Sequence, residues 1–288
     1  MKLFTFQRIL FASLLAAATL AGCGKEEKED ISVPQTEGLT VKPMEAASTP
    51  AWVPSGLPPW QDPLFADFKL ATHENIQVYY PTGHVHEAQM AQAPIDYKKA
   101  IAKISETLGL PEPTDTIRIF VLTGPGQGRT LTGDSFPHGD SLAVYYWPNY
   151  SRGPSLMQHL LYKYFGDWSQ HRIMNHGLIA LFDFAGENHH ETTLEYLREG
   201  KFIPLGKLVD DTLMNSTIER YQSSEAGSFV AFLLAQHGIA GVEAVYRAPL
   251  PFAYAVQSSL SMSVDSLQKE WIAFIEAAIG PIDTTTTK

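Results

Sequence analysis

Residues 116–122 read T-I-R-I-F-V-L. Isoleucine, phenylalanine and valine crowd this stretch, and β-branched and aromatic residues favour a strand. Before it, apolar residues recur at helical spacing and stop at Gly109: Ala88, Ala91, Ile95, Ala102, Ile104 and Leu108. This spacing predicts an amphipathic helix that begins or is interrupted near Pro94. A helix followed by a strand indicates mixed α and β structure.

Two more stretches have the pattern of strands. Residues 75–80 (N-I-Q-V-Y-Y) alternate and end at the turn signal P-T-G. Residues 141–147 (S-L-A-V-Y-Y-W) end at a proline. The glycine-rich stretch at 124–133, G-P-G-Q-G-R-T-L-T-G, lacks the G-K-[ST] ending of a phosphate-binding loop. It predicts a plain loop between two strands.

The chain after Pro154 has the pattern of helices. Helices are predicted over four stretches: 155–165, 173–185, 221–237 and 265–278. The stretch 173–185 is apolar nearly all round, and a glycine follows the stretch 221–237. The sequence therefore predicts an α+β fold, in which a small N-terminal sheet with a helix precedes a mostly helical half.

The first residues predict export and a lipid anchor. Lys2 and Arg8 form a positive start, an apolar run follows, and L-A-G-C at 20–23 closes it. This ending resembles the lipobox of bacterial lipoproteins. The resemblance implies removal of a signal peptide, residues 1–22, and attachment of a diacylglyceryl group to the sulfur of Cys23 and a fatty acid such as palmitate to its nitrogen. The alternative is an uncleaved anchor.

The charge and the single cysteine limit the classes of function. The formal net charge is −10, and loss of the basic start with the signal peptide would make the chain more acidic still, which argues against nucleic acid as a partner. Cys23 is the only cysteine, so the folded part has neither a disulfide nor a thiolate metal site. Gly24 in place of an aspartate after Cys23 favours the outer membrane.

Composition sets the domain boundaries. Residues 23–59 are charged and then rich in proline, serine and threonine, which predicts a flexible tether after the lipidated cysteine. One domain is expected over 60–282, with a sheet subdomain over about 60–150 and a helical subdomain over about 151–282. Residues 283–288, rich in threonine, are expected to form a disordered tail.

Three groups of histidines could carry chemistry. His84 with His86, and the stretch E-N-H-H-E at 187–191, could bind metal, but such polar, turn-like segments are more often solvated. The third group is His159-Leu160-Leu161-Tyr162-Lys163. Residues i and i+4 lie on one face of a helix, and zinc peptidases use this spacing for the two histidines of H-E-x-x-H.

The order of motifs around His159 carries a family resemblance. In sequence order these motifs are V-Y-Y-P-T-G at 78–83, H-L-L-Y-K at 159–163, I-M-N-H-G-L-I-A at 173–180, G-K-F-I-P-L-G-K-L at 200–208, a helix from Tyr221 containing S-F-V-A-F-L at 228–233, and L-Q-K-E-W at 267–271. The chain resembles the gluzincin metallopeptidases of the peptidase MA-like type. The resemblance covers nearly the whole folded part and implies a zincin-like fold.

The departures from the family fall on its zinc site. The resemblance implies that His159 matches the first zinc ligand, that Leu160 stands in place of the catalytic glutamate, that Lys163 replaces the second histidine, and that His176 replaces the third ligand, a glutamate. Catalytic zinc takes three protein ligands and a water. We therefore expect no zinc and no zinc-dependent catalysis, although a residual metal site on His159 and His176 stays open.

Lys163 could instead take the place of the metal as a fixed positive charge. Asp183, which lies on one helical face with His176, is the candidate carboxylate to pair with it. The alternative is an ordinary surface lysine whose stem packs on apolar neighbours.

These observations predict a membrane-anchored envelope lipoprotein with a pseudoenzyme domain that binds an extended peptide or another envelope component. Two alternatives remain. One is an active hydrolase with an altered site on His159, His176 and Tyr221, and the other is a structural partner in an envelope assembly with no ligand in its cleft.

Overall fold

The structure is a computed structural model that describes residues 42–43, 58–184, 186–209 and 219–279. The predicted signal peptide, Cys23 and the threonine-rich tail lie outside the described residues, and so does the side chain of Tyr221. Its contacts divide the chain into two compact units. We call the described residues up to Asp167 the sheet unit and those from Trp168 onward the helical unit.

The sheet unit contains five short strands, and a two-residue strand of the predicted tether pairs with one edge. In chain order the strands are β1 (Lys42–Pro43), β2 (Phe68–His73), β3 (Ile76–Pro81), β4 (Ile117–Val121), β5 (His138–Gly139) and β6 (Val144–Tyr146). Their spatial order is β1-β2-β3-β4-β6-β5. The middle pairs, β3 with β4 and β4 with β6, are parallel, and the outer pairs are antiparallel. The strands predicted at 75–80, 116–122 and 141–147 are confirmed as β3, β4 and β6.

Four α-helices and two 3₁₀ turns accompany the sheet. The turns are Pro59–Gln61 and Pro63–Phe65, and the helices are α1 (Glu87–Met90), α2 (Ala93–Leu108), α3 (Pro125–Thr132) and α4 (Gly153–Phe165). The predicted start near Pro94 is confirmed, because this proline lies in the first turn of α2, where its missing N–H costs nothing. Gly109 ends α2 in the left-handed conformation (φ 66°).

The core of the sheet unit is aromatic. It contains Phe65, Phe68, Tyr79, Phe120, Leu122, Leu131, Ala143, Tyr145 and Trp147. The rings of Tyr79 and Phe120 are stacked with their centroids 4.6 Å apart. Each aromatic side chain buries a large apolar area. This cluster therefore packs the middle strands of the sheet against the 3₁₀ turn at Phe65 and against helix α3, which contributes Leu131.

The glycine-rich stretch at 124–133 is a helix, so the predicted loop is wrong. Pro125 occupies the first turn, and Gly133 ends α3 with φ 80°. A Cβ atom at Gly128 would lie 2.8 Å from the Trp147 ring, so the glycine lets the helix approach the core closely. The low helix propensity of glycine is thus outweighed by a tertiary contact.

The helical unit consists, in its described residues, of helices alone. These are α5 (Arg172–Leu181), α6 (His189–Arg198), α7 (Leu205–Leu208), α8 (Glu219–Arg247), α9 (Phe252–Leu260) and α10 (Val264–Ile279). Gly238 interrupts α8 with φ 64° and ψ −177°, which agrees with the predicted helix end there. A Cβ atom at Gly177 would lie 2.4 Å from the carbonyl oxygen of Ala226, so α5 and α8 pack backbone to backbone.

The segment Ser223–Arg247 of α8 is long and apolar enough to cross a membrane, with a mean hydropathy of 1.4. The core helix of a globular protein passes the same test, and Phe229, Val230 and Leu233 of this segment are fully or almost fully buried.

The described elements together make a mixed α+β protein with a small sheet and a mostly helical remainder.

Candidate functional site

Helix α4 carries the first group of predicted site residues. Pro154 lies in its first turn, and Gly166 closes it in the left-handed conformation. Leucines and a methionine form the buried face, and this face includes Leu160, whose exposed fraction is 0%. Leu160, which the resemblance predicts to stand in place of a glutamate, is therefore a core residue of the sheet unit.

His159 is fully buried and held in one orientation. Its Nδ1 lies 2.6 Å from the carbonyl oxygen of Asp140. A carbonyl can only accept, so Nδ1 carries the proton and donates it, and Nε2 keeps its lone pair. Nε2 is buried and has no hydrogen-bond partner within the described residues. Burial lowers the pKa of His159, and the positive charge of Lys163 lowers it further, while the bond to Asp140 opposes them.

Strand β5 packs directly against α4. A Cβ atom at Gly139 would lie 2.2 Å from the carbonyl oxygen of Ser155 and 2.6 Å from the backbone nitrogen of His159. The N–H of Gly139 donates to Oε1 of Gln158 at 2.8 Å. Only glycine permits this approach, so Gly139 fixes the distance between β5 and the histidine.

Lys163 is paired with an acidic residue of its own unit. Its Nζ lies 3.3 Å from Oδ2 of Asp115, and the exposed fractions of the two side chains are 24% and 72%. Such an exposed ion pair contributes between nothing and about 1 kcal/mol. The lysine therefore lies at the end of α4 as a partly buried cation with a weak partner.

The remaining predicted residues belong to the helical unit. His176 lies on α5, and Asp183 follows the end of that helix. The pairing of Lys163 with Asp183, and a metal site that joins His159 to His176, stay predictions. Across the part of the chain that the structure describes, no group of three or more histidine, cysteine, aspartate or glutamate side chains could hold a metal ion.

The stretch 187–191 differs from its predicted solvated turn. Asn188 caps the N-terminus of α6 by accepting the N–H of Glu191. This places His189 and His190 in the first turn of the helix, where both are largely buried. His189 Nε2 lies 2.8 Å from the carbonyl oxygen of Ala180. His189 therefore has a structural partner at the end of α5.

His190 belongs to a buried hydrogen-bonded relay. Trp271 donates its Nε1–H to the hydroxyl of Ser228 at 3.0 Å, and the same hydroxyl lies 2.9 Å from Nδ1 of His190. Burial lowers the pKa of His190 to about 4, so the ring is neutral. A serine beside a histidine is also the arrangement of a nucleophile and its base. Ser228 is 0% exposed, however, and the relay therefore stabilises the packing of α6, α8 and α10.

Helix α8 contains a second buried polar group, which is not among the predicted site residues. Glu225 is 0% exposed, and its Oε1 accepts the N–H of Ile203 at 2.9 Å. Its Oε2 has no hydrogen-bond partner in the described ranges. Burial raises the pKa of Glu225 to about 8, against which the bond from Ile203 acts. The available signal was that Glu225 directly precedes the apolar run of α8 that starts at Ala226.

Two exposed apolar side chains flank strand β5. Phe136 precedes the strand and Leu142 follows it, with exposed fractions of 66% and 46%. Through Gly139, the same hairpin contacts α4 at His159. The segments on either side of β5 therefore expose apolar side chains.

Comparison of the chain with protein-family models, with curated proteins and with solved structures gives no match. The fold and the site by themselves define an α+β protein in which one helix carries a buried, oriented histidine and a weakly paired lysine.

Proposed function

We propose that this protein is a lipid-anchored protein of the bacterial cell envelope, with a gluzincin-like domain that has lost its zinc chemistry and acts by binding. One observation carries the proposal. At the positions where the family resemblance requires a glutamate and a second histidine, α4 has a core leucine and a lysine paired with Asp115.

The chemistry of these side chains opposes zinc catalysis. A leucine accepts no proton from the attacking water, so the general base of the peptidase mechanism is missing. The ammonium group of Lys163 repels a dication. His159 presents one lone pair, whereas catalytic zinc takes three protein ligands.

The apolar surface beside α4 supports a binding role. Phe136 and Leu142 offer side-chain contacts to an extended peptide or another envelope component. Addition of a strand at β5 is disfavoured, because Gly139 already donates its N–H to Gln158 and Pro137 has none. Recognition would therefore rest on side chains rather than on main-chain pairing.

The N-terminal pattern supports the location. The lipobox resemblance places the lipid on Cys23, and the tether predicted over 23–59 would connect it to the domain. Gly24 favours the outer membrane. No nucleic acid, zinc or other cofactor is part of the proposal.

Restoring the zinc ligands tests the family resemblance. The double variant Lys163→His, His176→Glu supplies, with His159, the three ligand types that the resemblance implies, and it leaves the core residue Leu160 in place. We expect it to bind about one zinc ion per chain, as three-ligand sites do. The matched control Lys163→Gln, His176→Glu removes the same charge without supplying the second histidine, and it should bind none. A folded ligand-restored variant that retains no zinc contradicts the resemblance.

Binding is tested with casein as an unstructured probe. We expect the double variant Phe136→Ser, Leu142→Ser to bind fluorescently labelled casein more weakly than the unmodified chain does in an anisotropy titration. Val85→Ser serves as the control, since Val85 is 84% exposed and lies in the same unit. Equal casein binding by the double variant and the control would refute the assignment of this surface.

A further inference from the structure

The helical unit contains a cavity that the proposed function does not use. Its volume is about 350 Å³, within the range of about 300–1,000 Å³ typical of small-molecule sites. Among the described residues, Gln170, His171 and Ile173 line one side, the segment Pro249–Phe252 lines the other, and Val209 also lines the cavity. The cavity lies between the start of α5 and the connection from α8 to α9.

Hydrogen bonds hold the wall before α5 in place. The side chain of Asn175 accepts the N–H of Ser169 at 3.0 Å and donates to the Ser169 carbonyl at 2.8 Å. The Ser169 hydroxyl donates to the carbonyl of Tyr246 at 2.6 Å. These bonds tie the segment to the end of α8, so the cavity is formed without a ligand and binding would cost little ordering entropy.

Gln170 joins the two walls, because its amide nitrogen donates to both carbonyl groups on the opposite side. Its Nε2 donates to the carbonyl oxygens of Ala248 at 2.9 Å and Leu250 at 2.7 Å. An amide nitrogen has two hydrogens, and both are used on groups that can only accept. The orientation of the amide is therefore fixed, and Oε1 is the only atom of this amide that can accept a hydrogen bond.

The described part of the lining is uncharged and largely apolar. None of the described side chains that line the cavity is acidic, and none is a lysine or arginine. Two prolines, an isoleucine, a valine and a phenylalanine supply apolar walls, and the His171 ring stands edge-on to Phe252 with centroids 5.5 Å apart. Leu250 is 42% exposed, so a ligand that covers it removes apolar surface from water.

We propose that this cavity binds a small uncharged ligand that has a flat apolar body and one N–H or O–H donor, as an indole or a phenol has. The apolar body contacts the proline-rich wall, and the donor bonds to Oε1 of Gln170. The described lining residues all belong to the helical unit, and none of them lies on helix α4.

Indole and benzofuran form a matched pair of probes, because they have the same size and differ in the donor N–H. We would titrate each into residues 23–288 carrying Cys23→Ser, with ¹³C-labelled isoleucine, leucine and valine methyl groups. We expect indole to shift the methyl signals of Ile173, Val209 and Leu250 saturably, and benzofuran to bind about fivefold more weakly, since one hydrogen bond contributes about 1 kcal/mol.

Two variants complete the test. Leu250→Ala should weaken indole binding about fivefold through lost apolar contact, whereas Val85→Ala, which changes an exposed residue of the sheet unit, should leave it unchanged. Absence of saturable shifts at these methyl groups, or equal binding of indole and benzofuran, would overturn the proposal. If Leu250→Ala does not fold, the comparison of the two probes on the unmodified chain still decides it.

Discussion

Replacement of Glu225 by glutamine should make the protein more stable in alkaline solution. The carboxyl group is 0% exposed, and one of its oxygens accepts the N–H of Ile203. Burial raises its pKa from the ordinary 4.5 to about 8. Glutamine keeps the shape and the acceptor for Ile203 but does not ionise.

The direction of the pH effect follows from proton binding. Between pH 4.5 and about 8 the unfolded chain has released the proton of Glu225, whereas the folded chain still holds it. The free energy of unfolding therefore falls as the pH rises through this window, and it stays lowered above it. A pKa difference of about 3.5, at about 1.4 kcal/mol for each pKa unit, sets an upper limit of about 5 kcal/mol.

The assay is urea unfolding of the unmodified chain and of Glu225→Gln at pH 5, 7 and 9. We expect similar stabilities at pH 5 and a growing advantage of Glu225→Gln towards pH 9. The control is Glu243→Gln on the same helix, where the carboxylate is exposed and pairs with Arg247, and its effect should stay below about 1 kcal/mol. A variant that is less stable by the same amount at every pH would refute the protonated state of Glu225.

Three further substitutions test the packing around the site. Gly139→Ala should lower the free energy of unfolding by about 1–3 kcal/mol or more, because its Cβ would lie 2.2 Å from the Ser155 carbonyl oxygen. The control Gly126→Ala, where the Cβ meets no atom within 4 Å, should not destabilise the protein. Equal urea midpoints of the two variants would contradict the close approach. Lys163→Gln should lower the free energy of unfolding by less than about 1 kcal/mol. The loss should also be smaller than that of Lys98→Gln, because Lys98 is equally exposed but contacts two carboxylates at 2.9 and 3.0 Å. A loss of several kcal/mol on Lys163→Gln would instead favour the predicted pair with Asp183. Ser228→Ala should lower the free energy of unfolding, measured with heat or urea, by about 1–3 kcal/mol, because it leaves the buried Trp271 N–H without its acceptor. An unchanged stability would show that the relay contributes nothing.

The secondary structure was predictable where the pattern is local. Strand β4 and helix α2 follow from the packing of β-branched residues and from helical spacing that ends in a glycine. Helix α3 was not predictable in this way, because its glycines argue against a helix and the contact of Gly128 with Trp147 appears only in three dimensions. Strand β2 and helix α9 carried no signal strong enough to predict them.

The candidate site was predictable in its residues and not in their partners. His159 and Lys163 are visible in the sequence as one face of a helix. The Asp140 carbonyl that orients His159 lies 19 positions away, and the Asp115 carboxylate that meets Lys163 lies 48 positions away. Side chains at such separations come together only through the fold, and the same holds for Glu225 and Ile203.

The zinc content of the purified chain tests the central proposal most directly, together with hydrolysis of casein. We would express residues 23–288 with Cys23→Ser in medium containing zinc and measure bound metal by mass spectrometry, with His159→Ala as the control. We expect far less than one zinc ion per chain and no cleavage of casein above that of the control. One zinc ion per chain, or cleavage that His159→Ala abolishes, would contradict the account.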